Sequence, residues 1–369
     1  MIIILITFRP LSFITASQQG KDSLSEYSKF EYSHFEDKSI EPLPILSYDT
    51  DTGIGYGAKV FFLNQLDFNE SIDLLLFNSS KGEGWYRIAF SMPDYEHRQG
   101  KIFPLAIDIV ADYDKLVSIG YYGPGSESKK ESKDIYSKKL FNLSFDFSRG
   151  FTPNLYGQFG IKYKSSSNSN LSEGGILIKH NDPLSRSTLR SHSVYFLFRY
   201  DTRDSYINPS QGITLQGTYE YAFQSQLVNI NYTYWESSFN YYTHFLFQNT
   251  TLALKTALQT VLSERSPVQI LLPLGGNKTL RGYPQDRFLD KAVTLVNSEI
   301  RFPVYKRLGA IAGFDIGKVW PSISKINLNR WVCSPALGLR FYMENFIIRL
   351  DAGFSNESTG IYLNFNHIF

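Results

Sequence analysis

The chain has 369 residues, 43% of them hydrophobic, and aromatic side chains alone make up 16%, with 25 Tyr and 29 Phe. The 37 Lys and Arg against 35 Asp and Glu leave a net charge of +2, which implies no polyanionic partner such as nucleic acid. Past the first residues no apolar run approaches the roughly 18 residues of a membrane-crossing helix, which excludes a helical membrane protein. Cys333 is the one cysteine. It allows no internal disulfide, and no Cys/His cluster has metal-ligand spacing.

Residues 1–17 begin with an apolar stretch and reach small residues around Ala16, as a secretory signal peptide does. No basic residue precedes that stretch, and Arg9-Pro10 interrupts it, so a buried strand or a start codon upstream of the true leader stays open. Residues 18–43 are polar and read as a periplasmic tether. They are too few for a domain, which needs at least about 50 residues.

From Pro44 to Phe369 the chain alternates apolar and polar positions between turn signals. The pattern predicts strands over 44–50, 53–64, 70–79, 84–93, 101–113, 134–149, 152–165, 188–204, 211–223, 232–246, 249–263, 292–305, 308–320, 331–343, 346–355 and 360–369. In the last of these, Ile361, Leu363, Phe365 and Phe369 share one face and Tyr362, Asn364 and Asn366 the other. Connections such as 150–151, 247–248, 306–307 and 344–345 are tight, while 114–133, 166–187, 264–291 and 321–330 are long. Tight turns on one side and long loops on the other mark a membrane barrel; a sandwich has no reason to sort its loops this way. The expectation is an all-β, transmembrane antiparallel barrel of about sixteen strands.

Strand parity turns Glu299 and Arg301 the same way, and Asp315, between Phe314 and Ile316, also inward. Arg281 lies in a glycine-flanked loop between the eleventh and twelfth expected strands, long enough to fold into the lumen.

The segment Leu274-Gly275-Gly276-Asn277-Lys278-Thr279-Leu280-Arg281-Gly282-Tyr283 resembles the signature loop of the BamA/TamA family of outer-membrane proteins, the bacterial surface antigen barrels. Asn297-Ser298-Glu299-Ile300-Arg301-Phe302-Pro303, Phe314–Trp320, Gly338-Leu339-Arg340 and Ile348-Arg349-Leu350-Asp351 are similar to that family's later strands. Asp201-Thr202-Arg203-Asp204 with Pro209 and Gly212 resembles a mid-barrel motif, and Tyr121–Gly125 a weaker earlier one. The resemblance covers 44–369 and is specific after about residue 200. It implies a lock in which Arg281, flanked by Gly282 and Tyr283 and by the loop glycines Gly275 and Gly276, pairs with Glu299 and Asp315; a surface loop with unrelated charges is the alternative. It also implies that Phe369, with Phe365 on the same face, is a terminal delivery signal, or else an aromatic anchoring the membrane interface. Finally, it implies a short first/last-strand seam that can open, here 44–50 against 360–369. Gly53, Gly55 and Gly57 weaken the adjacent strand or merely ease its curvature.

Members that insert or translocate proteins carry POTRA domains before the barrel, and residues 18–43 cannot supply one. No catalytic constellation stands out: the six histidines are scattered, and Gly275–Thr279 lacks phosphate-loop spacing. The expectation is therefore a non-enzymatic barrel without cofactor, in contact with outer-membrane lipids. It would handle client polypeptides, together with periplasmic partner proteins, in membrane-protein assembly or translocation through the seam. A plugged channel, or a membrane anchor for a separate partner, is the alternative.

Overall fold

Alternating apolar and polar residues wind into sixteen antiparallel strands that close on themselves, seen in a computed structural model that describes residues 38–179, 182–223, 229–343 and 346–369. The expected leader 1–17 and residues 18–37 of the tether lie outside the described residues. The wall strands are β1 (Ser39–Asp49), β2 (Gly53–Leu63), β3 (Ser71–Ser79), β4 (Gly84–Met92), β5 (Phe103–Tyr121), β6 (Asp134–Thr152), β7 (Leu155–Ser169), β8 (Thr188–Asp201), β9 (Gly212–Phe223), β10 (Tyr232–Phe245) and β11 (Phe247–Leu262). After a ribbon of β12 (Leu272–Leu274) and β13 (Phe288–Asp290) come β14 (Ala292–Tyr305), β15 (Leu308–Trp320), β16 (Val332–Tyr342), β17 (Ile347–Phe354) and β18 (Thr359–Phe365). The ring runs in chain order, β11 pairing with β14 across the ribbon and β18 closing on β1.

The barrel class and strand count match the sequence expectation, and several boundaries move. β1 begins at Ser39, ahead of the expected 44, because residues 39–43 pair with β2 in the same register. β5 continues to Tyr121, past the expected 113. A bulge between Leu116 and Ile119, with Ser118 at φ +66°, breaks the alternation without ending the ladder, and Ile119 and Tyr121 pair onward with Tyr136 and Asp134. β7 reaches Ser169 through a Ser/Asn run of low strand propensity, held by pairing with β6 up to Ser137–Ser169.

The outer face carries exposed large side chains around the ring, among them Leu46, Leu76, Ile161, Phe198, Leu215, Leu337 and Ile361. Among the described residues no helix is long and apolar enough to cross a membrane; the strands carry the apolar belt instead. At one end the loops are short, down to Leu246 alone between β10 and β11. At the other, 122–133, 170–179, 182–187 and 263–291 come together over the lumen, where Ile119, Tyr136, Leu177, Val268, Leu271 and Leu289 form one buried cluster.

Candidate functional site in the lumen and at the seam

The loop 263–291 between β11 and β14 folds into the barrel rather than away from it. Leu274, Leu280, Tyr283 and Phe288 bury against Val293, Leu295 and Val319 of the wall. The loop tightens on itself: Gly275 N–H donates to Thr279 Oγ1 at 2.9 Å, and Gly276 N–H to the Tyr283 carbonyl at 3.1 Å. Gly282 takes φ +96°, and a Cβ there would lie 2.7 Å from the backbone of Gly353 and Phe354, so only glycine lets the loop lie on β17. Gly353 is the matching requirement on the wall, since its Cβ would sit 2.4 Å from the Arg281 carbonyl carbon.

This seating delivers Arg281 to the wall. Its Nε and Nη2 donate to the two carboxylate oxygens of Asp315 at 2.8 and 2.9 Å, and its Nη1 to Glu299 Oε1 at 2.8 Å. Nη1 also reaches Asp351 Oδ2 at 3.2 Å. All four side chains are fully buried. Such forked, charge-assisted bonds fix geometry as well as charge. Arg301 Nε donates to Glu299 Oε2 at 2.9 Å, Arg340 joins Asp351 to Glu299, and Asn297 Nδ2 bridges Asp315 and the Thr279 carbonyl at 2.8 and 2.7 Å.

The same loop holds both strands of the seam. Asn277 Nδ2 donates to Asp49 Oδ2 on β1 at 2.5 Å, and Gln285 N–H to Asp51 Oδ2 at 2.8 Å. Gly282 N–H donates to the Tyr362 hydroxyl on β18 at 3.0 Å. The seam needs this help. β1 pairs with β18 only through Tyr48–Leu363 and Asp49–Tyr362, with Thr50 N–H donating to the Ile361 carbonyl just above, whereas its ladder with β2 runs unbroken from Ser39–Leu63 to Asp49–Gly53.

A model of the Omp85 superfamily domain matches residues 77–365, most of the chain. The chain belongs to the Omp85 superfamily. Solved structures agree in fold. BamA from Haemophilus ducreyi lacking POTRA domains 1–3 superposes with a TM-score of 0.64 at 14% identity, over 89% of this chain and 70% of that one. CdiB from Escherichia coli gives 0.62 at 12% over 89% and 68%, and CdiB from Acinetobacter baumannii 0.56 at 15% over 90% and 65%. This chain thus spans about two thirds of each of those chains. No curated protein matches the sequence.

Within this Omp85 barrel, the expected loop residues converge: Arg281 meets Glu299 and Asp315, Gly282 touches the wall, and the Tyr283 hydroxyl donates to Asn356 Oδ1 at 2.9 Å. Phe365 ends β18 with its ring 5.7 Å from that of Phe346. Phe369 departs from expectation, for it does not lie on the apolar face of a strand. The ladder ends at Phe365; Asn366 takes φ +59° and turns the chain inward. There Arg301 Nη2 donates to the Phe369 backbone oxygen at 2.9 Å, with the guanidinium 5.2 Å from the ring centre. The seam is also shorter than the expected 44–50 against 360–369.

Of the weaker motifs, Asp201 accepts from Arg199 and Arg203 at 2.7 Å each, and Gly125 N–H donates to the Leu289 carbonyl at 2.8 Å, tying the early motif to β13. Sequence reasoning missed Arg287, which grips both Glu357 oxygens at 2.6 and 2.8 Å and stacks 4.3 Å from the Tyr122 ring. It also missed Asp182, which receives Arg265 Nη2 at 2.6 Å and so ties loop 170–187 to loop 263–291. Burial raises the Asp182 carboxyl, but the bonds from Arg265, Leu184 N–H and Ser266 N–H outweigh it and hold it below the usual range. Glu83, in the β3–β4 turn, moves the other way: burial, with the charges of Asp49 and Asp51 nearby, pushes it up to about 7. Among the described residues, no group of His, Cys, Asp and Glu is placed to hold a metal.

Proposed function

We propose that this Omp85 barrel lies in a bacterial outer membrane and passes or templates client polypeptides at the β1/β18 seam, without bond-making chemistry, while the Arg281 loop acts as the lock that keeps the wall in shape. The belt of exposed apolar side chains supports the membrane setting. The single observation that carries the reading is the seam itself, in which, among the described residues, most of the β1 edge facing β18 goes unpaired. An unpaired edge is the kind of surface onto which a strand adds through main-chain hydrogen bonds. Leader peptide, periplasmic tether, partner proteins and the delivery role of Phe369 belong to the same proposal.

A disulfide across the seam tests it. Tyr48 and Leu363 are register partners, so Tyr48→Cys with Leu363→Cys, in a Cys333→Ser background, should cross-link. The oxidised protein in liposomes is expected to lose insertion of a urea-denatured eight-stranded barrel, and reductant should restore it. Equal insertion by the oxidised form would defeat the reading. Packing of the long loops over the lumen opposes an open pore. Planar-bilayer recordings should accordingly show little steady conductance; a large one would favour a channel.

A further inference from the structure

Pro42 and Pro44 lie in the part of β1 that β18 does not reach. Along a strand, backbone N–H groups point alternately to one neighbour and the other. Thr50 N–H donates to Ile361 O on β18 at 3.2 Å, so the even-numbered residues of β1 face the seam and the odd-numbered ones face β2. Pro42 and Pro44, opposite Val60 and Ala58, therefore supply no bond to β2. The donors they lack are missing from the seam edge, the place where a sheet tolerates proline.

The register shows what this edge turns away. β18 sets Leu363 against Tyr48 and Tyr362 against Asp49. Continued, the same register would set Phe365 against Leu46, His367 against Pro44 and Phe369 against Pro42. The chain does not continue that way. Asn366 turns at φ +59°, Arg340 Nε approaches His367 Nδ1 at 3.3 Å, His367 Nε2 lies 3.1 Å from Asn208 Oδ1, and Phe369 reaches Arg301.

We infer that Pro42 and Pro44 hold the seam short: by removing two donors from the β1 edge, they send residues 366–369 into the lumen instead of along β1. The same gaps leave only carbonyl acceptors at those two edge positions, so a client strand pairing there would be held by fewer main-chain hydrogen bonds and released more readily. The consequence for clients rests on the function proposed above; the structural claim does not.

The test uses the full chain in detergent with Cys333→Ser, Leu43→Cys and Ile368→Cys, two positions that face each other only in a fully zipped seam. With both prolines present, oxidation should give background disulfide. With Pro42→Ala and Pro44→Ala added, most molecules should cross-link. Equal cross-linking with and without the prolines would overturn the inference, as would none in a double variant that still shows the folded, heat-modifiable band. A second variant decides the matter even if the double one does not fold. His367→Ala, which frees the tail from Arg340 and Asn208, should leave the 43/368 pair unlinked if the prolines govern; cross-linking there would show that the lumen anchors govern instead. Client insertion is scored separately: unchanged insertion by a zipped barrel would defeat the seam function and leave the proline inference standing.

Discussion

On β14–β17 the inward residues Glu299, Arg301, Asp315, Arg340, Arg349 and Asp351 are at most 3% exposed, sealed beneath the loop 263–291. On the first strands, register carries the inward face from Leu43 to Lys59, Leu75, Arg87 and Asp112, and from Ile45 to Gly57, Phe77 and Trp85. There the ion pair Lys59–Asp73, at 2.8 Å, keeps side-chain exposures of 31% and 25%, and Trp85 remains 37% exposed. The two walls use the same alternation, and what separates them is the loop. Where it lies, guanidinium and carboxylate groups are dry and mutually dependent; where it does not, the Lys59–Asp73 pair stays in reach of water. Charge pairs of equal length should therefore differ greatly in worth.

The sharpest way to break that contrast is to remove one charge from each wall. Arg281→Ala leaves Asp315 buried without a cation and removes one arginine from Glu299 and from Asp351; it is expected to cost about 3–5 kcal/mol, read as a lower temperature for loss of the folded band in gels. Arg281→Lys should rescue little, because a point charge cannot fork to Asp315 and Glu299 together. Lys59→Ala should cost about 1 kcal/mol or less; similar losses at both positions would erase the distinction. A smaller effect, about 1–3 kcal/mol, is expected of Gly353→Ala, whose methyl would meet the Arg281 backbone. Protease sensitivity of loop 263–291 should rise in that variant, and an unchanged digest would mean the wall yields.

Two carboxyl groups in the loops respond to pH with opposite signs. The Asp182 carboxyl is held low, so its tie to Arg265 stabilises above its unfolded pKa and fades as pH falls through the folded value. Cleavage in 170–187 should therefore increase on acidification, and Asp182→Asn should show that pattern already at neutral pH. Glu83 has the reverse sign. With a folded value of about 7 against an ordinary 4.5, stability falls as pH rises between those values. Amide protection in the β3–β4 turn, taken relative to the intrinsic exchange rate at each pH, should fall over that window, and Glu83→Gln should flatten the response. This is the smallest of the expected effects, because the side chain is only half-buried.

The barrel was legible because alternation is a local property. Each strand declares its two faces in consecutive residues, and parity alone aimed Glu299, Arg301 and Asp315 inward. The strand ends were less so: Lys115–Ser118 reads as a break, yet the chain resumes its ladder beyond the bulge because β6 offers partners. Arg287 carries no local sign of its role, since its partner Glu357 lies in the β17–β18 loop and meets it only when the loop folds in. Phe369 shows the opposite failure, for its spacing fits a strand face while the backbone turns away at Asn366.

Composition, alternation and loop lengths thus determined the class of wall, its strand order and which residues face the lumen, all properties of neighbours along the chain. Only the tertiary structure decided how far β1 and β18 pair, that Asn277 and Gly282 clasp both sides of the seam, and that Arg281 needs the bare backbone of Gly353 beside it. Those depend on segments far apart in sequence arriving at one place, and on the space left between backbones once they do.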